Sequence, residues 1–361
     1  MTCLPKTTRL VTLAVVVMLS MAPMSQAAES LPIIPGAHGF GIETPAGSGR
    51  HLPVPKTRVI KVTNLNDAGP GSLRDALENQ PGPKVIVFEV SGNIQLKSGL
   101  DIGGQRKKDP NTYGSYITIA GQTAPSPGIT LMHYGMEINV DCHDILMQHI
   151  RLRPGDTSVG GLLKEGWTKF EGTVYSHPLT NKPNVGWGNG VGVTWNGKPL
   201  EQSAALGRNT WEWSNGTLFV NVGHDPARGT LIWLPSKTGI SDPLELEGSS
   251  GNGHVPPRDI VIDHCSFSWG GDMNVKTNAN GLTFSNCISS EALHHPRHPK
   301  GPHSKGFLVE ANHGPDAAHN TFFARNLLAH NVDRNPRHAN NEMVIVNNLV
   351  YDVRFGPQVE D

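Results

Sequence analysis

The chain has 361 residues, a formal charge of -1, 41 Gly, 28 Pro and 37% apolar side chains. That length allows one elongated domain or two ordinary ones, and near-neutrality excludes nonspecific nucleic-acid binding by the molecule as a whole, so charge-based recognition must be local. The abundance of Gly and Pro fits a turn-dense, all-β protein better than a helical one.

Taken in order, Lys6 and Arg9 precede an apolar run over residues 10–19 and small residues at Ala27 and Ala28. This is the layout of a secretory signal peptide over 1–28, predicting a secreted protein, extracellular or periplasmic; the run is short for a membrane anchor. Residues 31–56, rich in Pro and Gly, are expected to wrap the surface as a covering segment. A strand is predicted over 58–63, then a short helix capped by Ser72 with Leu73, Ala76 and Leu77 apolar. Such a helix suits the lid of a raw β end. Strands are predicted next over 85–90, 92–96, 116–120, 129–132 and 145–152, separated by turn residues. The basic loop 104–114 reads as solvated surface.

Residues 157–240 break the pattern. They carry Trp167, Trp187, Trp195, Trp211, Trp213 and Trp233, and Asn-Gly turns at Asn196-Gly197 and Asn215-Gly216 predict two hairpins. The tryptophans suit the core of an inserted β unit, or in part a platform for stacking sugars. Asn215-Gly216-Thr217 also matches the N-glycosylation pattern, a match common by chance.

The chain returns to regular pattern near Asp242, and from Asp259 to Tyr351 it repeats. His264-Cys265, Asn286-Cys287, Arg325-Asn326 and Asn347-Asn348 stand in equivalent places, 22, 39 and 22 residues apart. One short strand per repeat, with turns between, predicts a parallel β-helix in which like residues stack and Asn side chains bond along the turns. The longer interval, over 294–320, is expected to protrude. With Cys3 in the leader, Cys142, Cys265 and Cys287 make an odd set that argues against a disulfide framework. Cys265 and Cys287 are expected to stack as small interior side chains, and a bridge between them is left open. No helix caps the carboxyl end: the tail either folds over the last coil or leaves that edge to another cover.

Between Glu291 and His338 lie six cations, Arg297, Lys300, Lys305, Arg325, Arg334 and Arg337, against four acids, with eight of the seventeen histidines. This is a counter-charge for a polyanion, and Arg forks suit carboxylates; a solvated basic loop is the plainer alternative. Zinc is a weak reading of the histidines, because Pro-rich turns do not promise ligand geometry. Asp242, Asp263 and Asp272 fall at strand ends on nearby coils and offer the hard oxygens calcium prefers, though Asp263 suits a local turn equally well.

PGAHGFG near Pro35, VTNLNDAGPGSLRDAL, VIVFEVSGNI, ITIAGQTAPSPGI, IRLRPGD, VIDHCSFSWGGD, HSKG, HNVDRNPR and VNNLVYD together resemble the bacterial pectate lyase family (polysaccharide lyase family 1-like). The resemblance covers most of the chain outside 157–240. It implies a right-handed, single-stranded parallel β-helix over 29–361 and calcium-assisted β-elimination on pectate or a related polyuronate. By the same resemblance Arg334 is the base, Lys305 a catalytic and substrate-binding lysine, and Arg337 a carboxylate clamp. Arg297 and His303 join them as substrate-binding candidates. Asp242 and Asp272 are the implied calcium ligands, with Asp263 a third acid that organises the site. Gly270 and Asn274 stand where further carboxylates would be expected. A monomer with no nucleic-acid or membrane partner completes the expectation. A β-helix glycoside hydrolase using Asp263 and Asp272, or a non-enzymatic polysaccharide binder gripping through the tryptophans, are the alternatives.

Overall fold

The computed structural model describes residues 31–103, 109–155, 161–179, 183, 192–233, 242–247, 253–296, 302–310, 319–339 and 342–359. The signal-peptide expectation over 1–28 therefore lies outside the described residues, as does most of the basic run in the loop 104–114.

Three parallel sheets carry the molecule. The first runs Arg58–Val62, Lys84–Phe88, Ile117–Ala120, His143–Gln148, Arg258–Asp263, Asn280–Ser285, Thr321–Ala324 and Met343–Val346. The second stacks Gly92–Gln95, Ile129–Met132, Ile150–Arg153, Ser266–Ser268, Ile288–Ser290, Leu327–Ala329 and Leu349–Tyr351. The third stacks Leu100–Ile102, Met136–Ile138, Leu244–Leu246, Met273–Thr277, Lys305–Val309, Arg337–His338 and Gln358–Val359. The chain visits the sheets in that order seven times, each visit one rung. This is the expected right-handed parallel β-helix, the hand being the one that twisted parallel strands and their crossovers adopt.

Alternation within each strand fills the interior. Ile86, Ile119, Met147, Ile262, Phe284 and Phe323 point inward from the first sheet and are fully buried. Phe284 stands 4.8 Å from Phe307 and 5.5 Å from both Phe267 and Phe323, ring centre to ring centre. The repeat spacing is realised in the register: Asp263 pairs with Ser285, Ser285 with Ala324, and Ala324 with Val346.

A single left-handed residue turns the chain from the first sheet to the second on five rungs. These are His149, His264, Asn286, Arg325 and Asn347, with φ from 53° to 56°. The next side chain points inward and accepts a bond from the backbone of the rung before: Cys265 N–H donates to Cys287 Sγ, Cys287 N–H to Asn326 Oδ1 at 2.9 Å, and Asn326 N–H to Asn348 Oδ1 at 2.8 Å. All three described cysteines are free thiols, so the open question of a Cys265–Cys287 bridge is answered by a ladder.

The amino end is lidded as expected. Ser72 Oγ accepts from Asp75 N–H, and the short π-wound segment Asp75–Asn79 buries Ala76 and Leu77, with Leu73 just before it, against the first strands. Fully buried Lys84 donates to Leu77 O and Gln80 O at 2.7 Å each, placing a cation on the carbonyl end of that segment. Residues 32–56 cover the outer face of the first sheet: Ile42 and Ala46 pack on Leu146 and Val261, and Thr283 Oγ1 donates to Phe40 O. At the other end the described part of the tail extends the stack rather than folding over it, Gln358–Val359 pairing with Arg337–His338.

The rungs correct two expectations. The interval 294–320 does not protrude as one loop, because Lys305–Val309 returns to the third sheet in its middle. The predicted strand 145–152 is two strands, broken by the turn at His149.

Between Ile150–Arg153 and Leu244–Leu246 the chain builds two small sheets, one of five strands and one of four. Their hairpins close at the expected Asn-Gly pairs, with Trp195 opposite Lys198 and Ser214 opposite Thr217. Trp211 is fully buried among Leu200, Leu218, Val220 and Leu231, and Trp167, Trp195, Trp213 and Trp233 pack on that cluster. The described tryptophans of this stretch thus form a core; Trp187 lies outside the described residues. No helix among the described residues is long and apolar enough to cross a membrane.

Candidate active site

The corner between the second and third sheets gathers the chemistry. On the third rung it admits the insertion and ends at Asp242; on the next three it is formed by 269–272, the loop ahead of Lys305, and 330–336. Successive rungs stack in register, so residues at the start of neighbouring third-sheet strands become neighbours in space.

Asp272 precedes Met273–Thr277, and Met273 pairs with Lys305 on the next strand. Lys305 Nζ accordingly donates to Asp272 Oδ1 at 2.7 Å, and His303 Nε2 lies 3.0 Å from the same oxygen. Asp242, 3% exposed, accepts from the backbone N–H groups of Asp272 at 3.2 Å and Met273 at 2.8 Å. It staples the turn that presents Asp272. Burial, reinforced by the neighbouring Asp272 carboxylate, pushes the Asp242 carboxyl up to about 7.

Arg334 comes from the following rung, in the left-handed region at φ 58°. Its backbone is over-determined: Arg334 N–H donates to Asp333 Oδ1, Arg334 O accepts from Phe307 N–H at 2.7 Å, and Asp333 O accepts from Gly306 N–H at 2.9 Å. A side chain at position 306 would bring its Cβ within 2.8 Å of Arg334 O, so the Gly of HSKG permits this close approach. Below, Asn331 donates to Ser289 O and Asn335 Oδ1 and accepts from Ala292 N–H, while Ser304 O accepts from Val332 and Asp333.

The Arg334 guanidinium lies half-buried over Met273, Nη1 at 3.6 Å from Sδ, and its buried Nε has no hydrogen-bond partner among the described residues. Burial is the main cause of its lowered pKa; Asp272 opposes that effect and Arg337 adds to it. Arg337, first residue of the next third-sheet strand, pairs with Leu308 rather than Lys305 and is close enough for its charge to act on Arg334.

The structure thus brings together Asp242, Asp272, His303, Lys305 and Arg334, with Arg337 acting on Arg334 by charge alone. Arg297 lies outside the described residues. Asp263 is not part of the group. It ends a first-sheet strand at a different corner, where Oδ1 accepts from Ser285 and Asn286 and Oδ2 from Gln148 and His264. Burial would raise its pKa, but these four bonds win and hold the carboxylate below its usual range. Its expected role beside calcium is therefore corrected: it is a turn-binding acid, the local alternative. The hydrolase pair Asp263 and Asp272 is likewise not assembled.

Sequence reasoning missed Met273, Asp333, Ser304 and Asn331. Only their adjacency to Asp272, Arg334 and Lys305 could have flagged them, because their roles depend on which rung lies next to which.

Calcium takes about six to eight oxygen ligands, and the described donors do not fit a resident ion. No group of three or more His, Cys, Asp or Glu side chains with metal-holding geometry occurs among the described residues. Asp242 and Asp272 already bind backbone and lysine donors. Asn274, fully buried, accepts from Gly270 N–H and donates to Ser290 O. A Cβ on Gly270 would fall 2.0 Å from Met273 O, so no carboxylate can stand there in this turn.

No protein-family model matches the chain. Proteins named probable pectate lyase C are its sequence relatives: 31% identical over 280 residues in Aspergillus fumigatus and 26% over 280 residues in Neosartorya fischeri, each alignment covering 77% of this chain and 58% of the relative. The chain thus spans somewhat over half the length of these relatives, which are fungal where the motifs suggested bacterial kin. Among solved structures, the cedar pollen allergen Jun a 1 aligns over 90% of this chain and 68% of its own at TM-score 0.44 and 17% identity. A pectate lyase from Xanthomonas campestris aligns over 90% and 71% at TM-score 0.43 and 12% identity.

Proposed function

From this kinship and this corner we propose that the protein is a polysaccharide lyase that cleaves pectate or a related polyuronate by β-elimination. The supporting observation is the buried Arg334 Nε, without a hydrogen-bond partner among the described residues and held by a left-handed backbone on the rung after Lys305. Such a donor costs free energy in the folded state unless a ligand uses it, and a planar carboxylate is the ligand that guanidinium forks fit.

In the proposed reaction Lys305 and Arg337 hold the uronate carboxylate, lowering the cost of the enolate-like charge that develops as C5 loses its proton. Arg334 takes that proton. The C5–H electron pair becomes the C4–C5 double bond, the C4–O bond breaks, and the leaving oxygen takes a proton from solvent water. An arginine can serve only in its minor neutral form, so lowering of its pKa by burial works in the required direction. Asp272 orients Lys305, and Asp242 holds the turn that carries Asp272. The calcium assistance implied by the resemblance has no part in these steps, because the described donors do not fit a resident ion. Secretion, as residues 1–28 suggested, belongs to the same proposal.

Incubation with polygalacturonate tests this. A lyase yields product whose new double bond, conjugated with the carboxylate, absorbs in the ultraviolet; a hydrolase yields reducing ends without that absorbance, and a binding protein neither. Absence of the absorbing product at every pH and cation concentration tried would remove the proposal.

A further inference from the structure

Resting on that reading of the site, we propose that the free protein holds no divalent ion here, because the Lys305 ammonium occupies the place on Asp272 that a metal would need. The charge that neutralises a uronate carboxylate is then supplied by the chain's own Lys305 and Arg337.

Four observations converge. Lys305 Nζ sits 2.7 Å from Asp272 Oδ1, the separation of a charge-assisted hydrogen bond, with His303 on the same oxygen. This is a built contact, since register pairing of Met273 with Lys305 and the bridge from Lys305 to Asp333 fix the lysine backbone on both sides. Asp242, the second acid, uses Oδ1 for two backbone N–H groups that a metal-bound carboxylate would have to release. Two described positions beside the acids are closed to further carboxylates, Gly270 by its packing against Met273 O and Asn274 by its inward hydrogen bonds. A cation approaching Asp272 therefore meets a resident cation, and among the described residues no third acid, His or Cys stands with it in metal-holding geometry. Cation selectivity in such a site depends on ligand number and charge, and here both favour the ammonium.

Calcium titration of the full chain by calorimetry, without any sugar, reads this directly. Wild type is expected to give no saturable heat into the millimolar range. Lys305→Met, which leaves Asp272 without the ammonium, is expected to gain saturable calcium binding at least tenfold tighter, and the double variant with Asp272→Asn to lose it again. Lys305→Gln, read alongside by circular dichroism and melting temperature, guards against a variant that fails to fold. Saturable sub-millimolar binding by wild type that Asp272→Asn abolishes would overturn the proposal. So would folded Lys305→Met and Lys305→Gln chains that bind no calcium. Oligogalacturonate binding in the presence of a chelator separates this result from the lyase reading: that binding is expected to persist, and a chain that binds no uronate at all refutes the lyase while leaving the calcium titration to decide its own question.

Discussion

Asp242 is a carboxyl group almost wholly removed from water that accepts two backbone N–H donors. Its pKa in the folded chain, pushed up to about 7, lies above that of an unfolded Asp, so folding binds its proton more tightly. The penalty is absent at pH below the unfolded value and grows as pH rises towards 7. Asp242→Asn keeps an acceptor oxygen and removes the titration. The variant should match wild type near pH 4 and exceed it by roughly 1–3 kcal/mol above pH 7, measured as unfolding free energy across the range. Equal stability of the two at all pH values would contradict the burial assigned to this group. Asp263 has the opposite sign. Its lowered pKa adds stability that is present above the unfolded value and lost as pH falls, and Asp263→Ala strands Ser285, Asn286 and Gln148. A loss of roughly 2–4 kcal/mol in denaturant titration is expected, with the turnover of the folded fraction unchanged; a selective loss of turnover would return Asp263 to the site.

At the scale of elements, the corners explain which part of the site could be read in advance. The first corner is written locally, since one left-handed residue followed by Cys or Asn recurs after 22, 39 and 22 residues, and the ladder of Cys287, Asn326 and Asn348 is a consequence of stacking. The second corner is not. Lys305 meets Asp272 because Lys305–Val309 re-enters the stack inside an interval that looked like one loop, a fact of rung order rather than of spacing. Asp263 misled for the converse reason: it stands near Asp272 in sequence, but a sheet lies between their corners. The insertion leaves from the same second corner and carries its own core around Trp211. On the next rung that gap is closed by residues 269–272 alone. Replacing 157–240 by a comparably short turn should therefore preserve the β spectrum, a single cooperative melt and the elimination reaction. A chain that folds but no longer binds oligouronate would instead make the insertion part of the grip.

Across the whole molecule, a nearly neutral chain sets Lys305 and Arg334 beside Asp272 at one corner of the stack, with Arg325 at another. The stack itself was legible because alternation, turn residues and the 22-residue repeat all pointed to one architecture. Reading the site needed the resemblance as well, because Arg334 owes its buried, unpartnered Nε to Asp333, Gly306 and Phe307 on two rungs at once. The most direct measurement is the rate of unsaturated product formation from polygalacturonate by Arg334→Ala, alongside its affinity for an oligouronate. Arg334 as the proton acceptor requires turnover to fall by roughly 10²–10⁴-fold while affinity changes far less. A folded Arg334→Ala chain that keeps the wild-type rate, or loses affinity and rate together, would show that this arginine is no base.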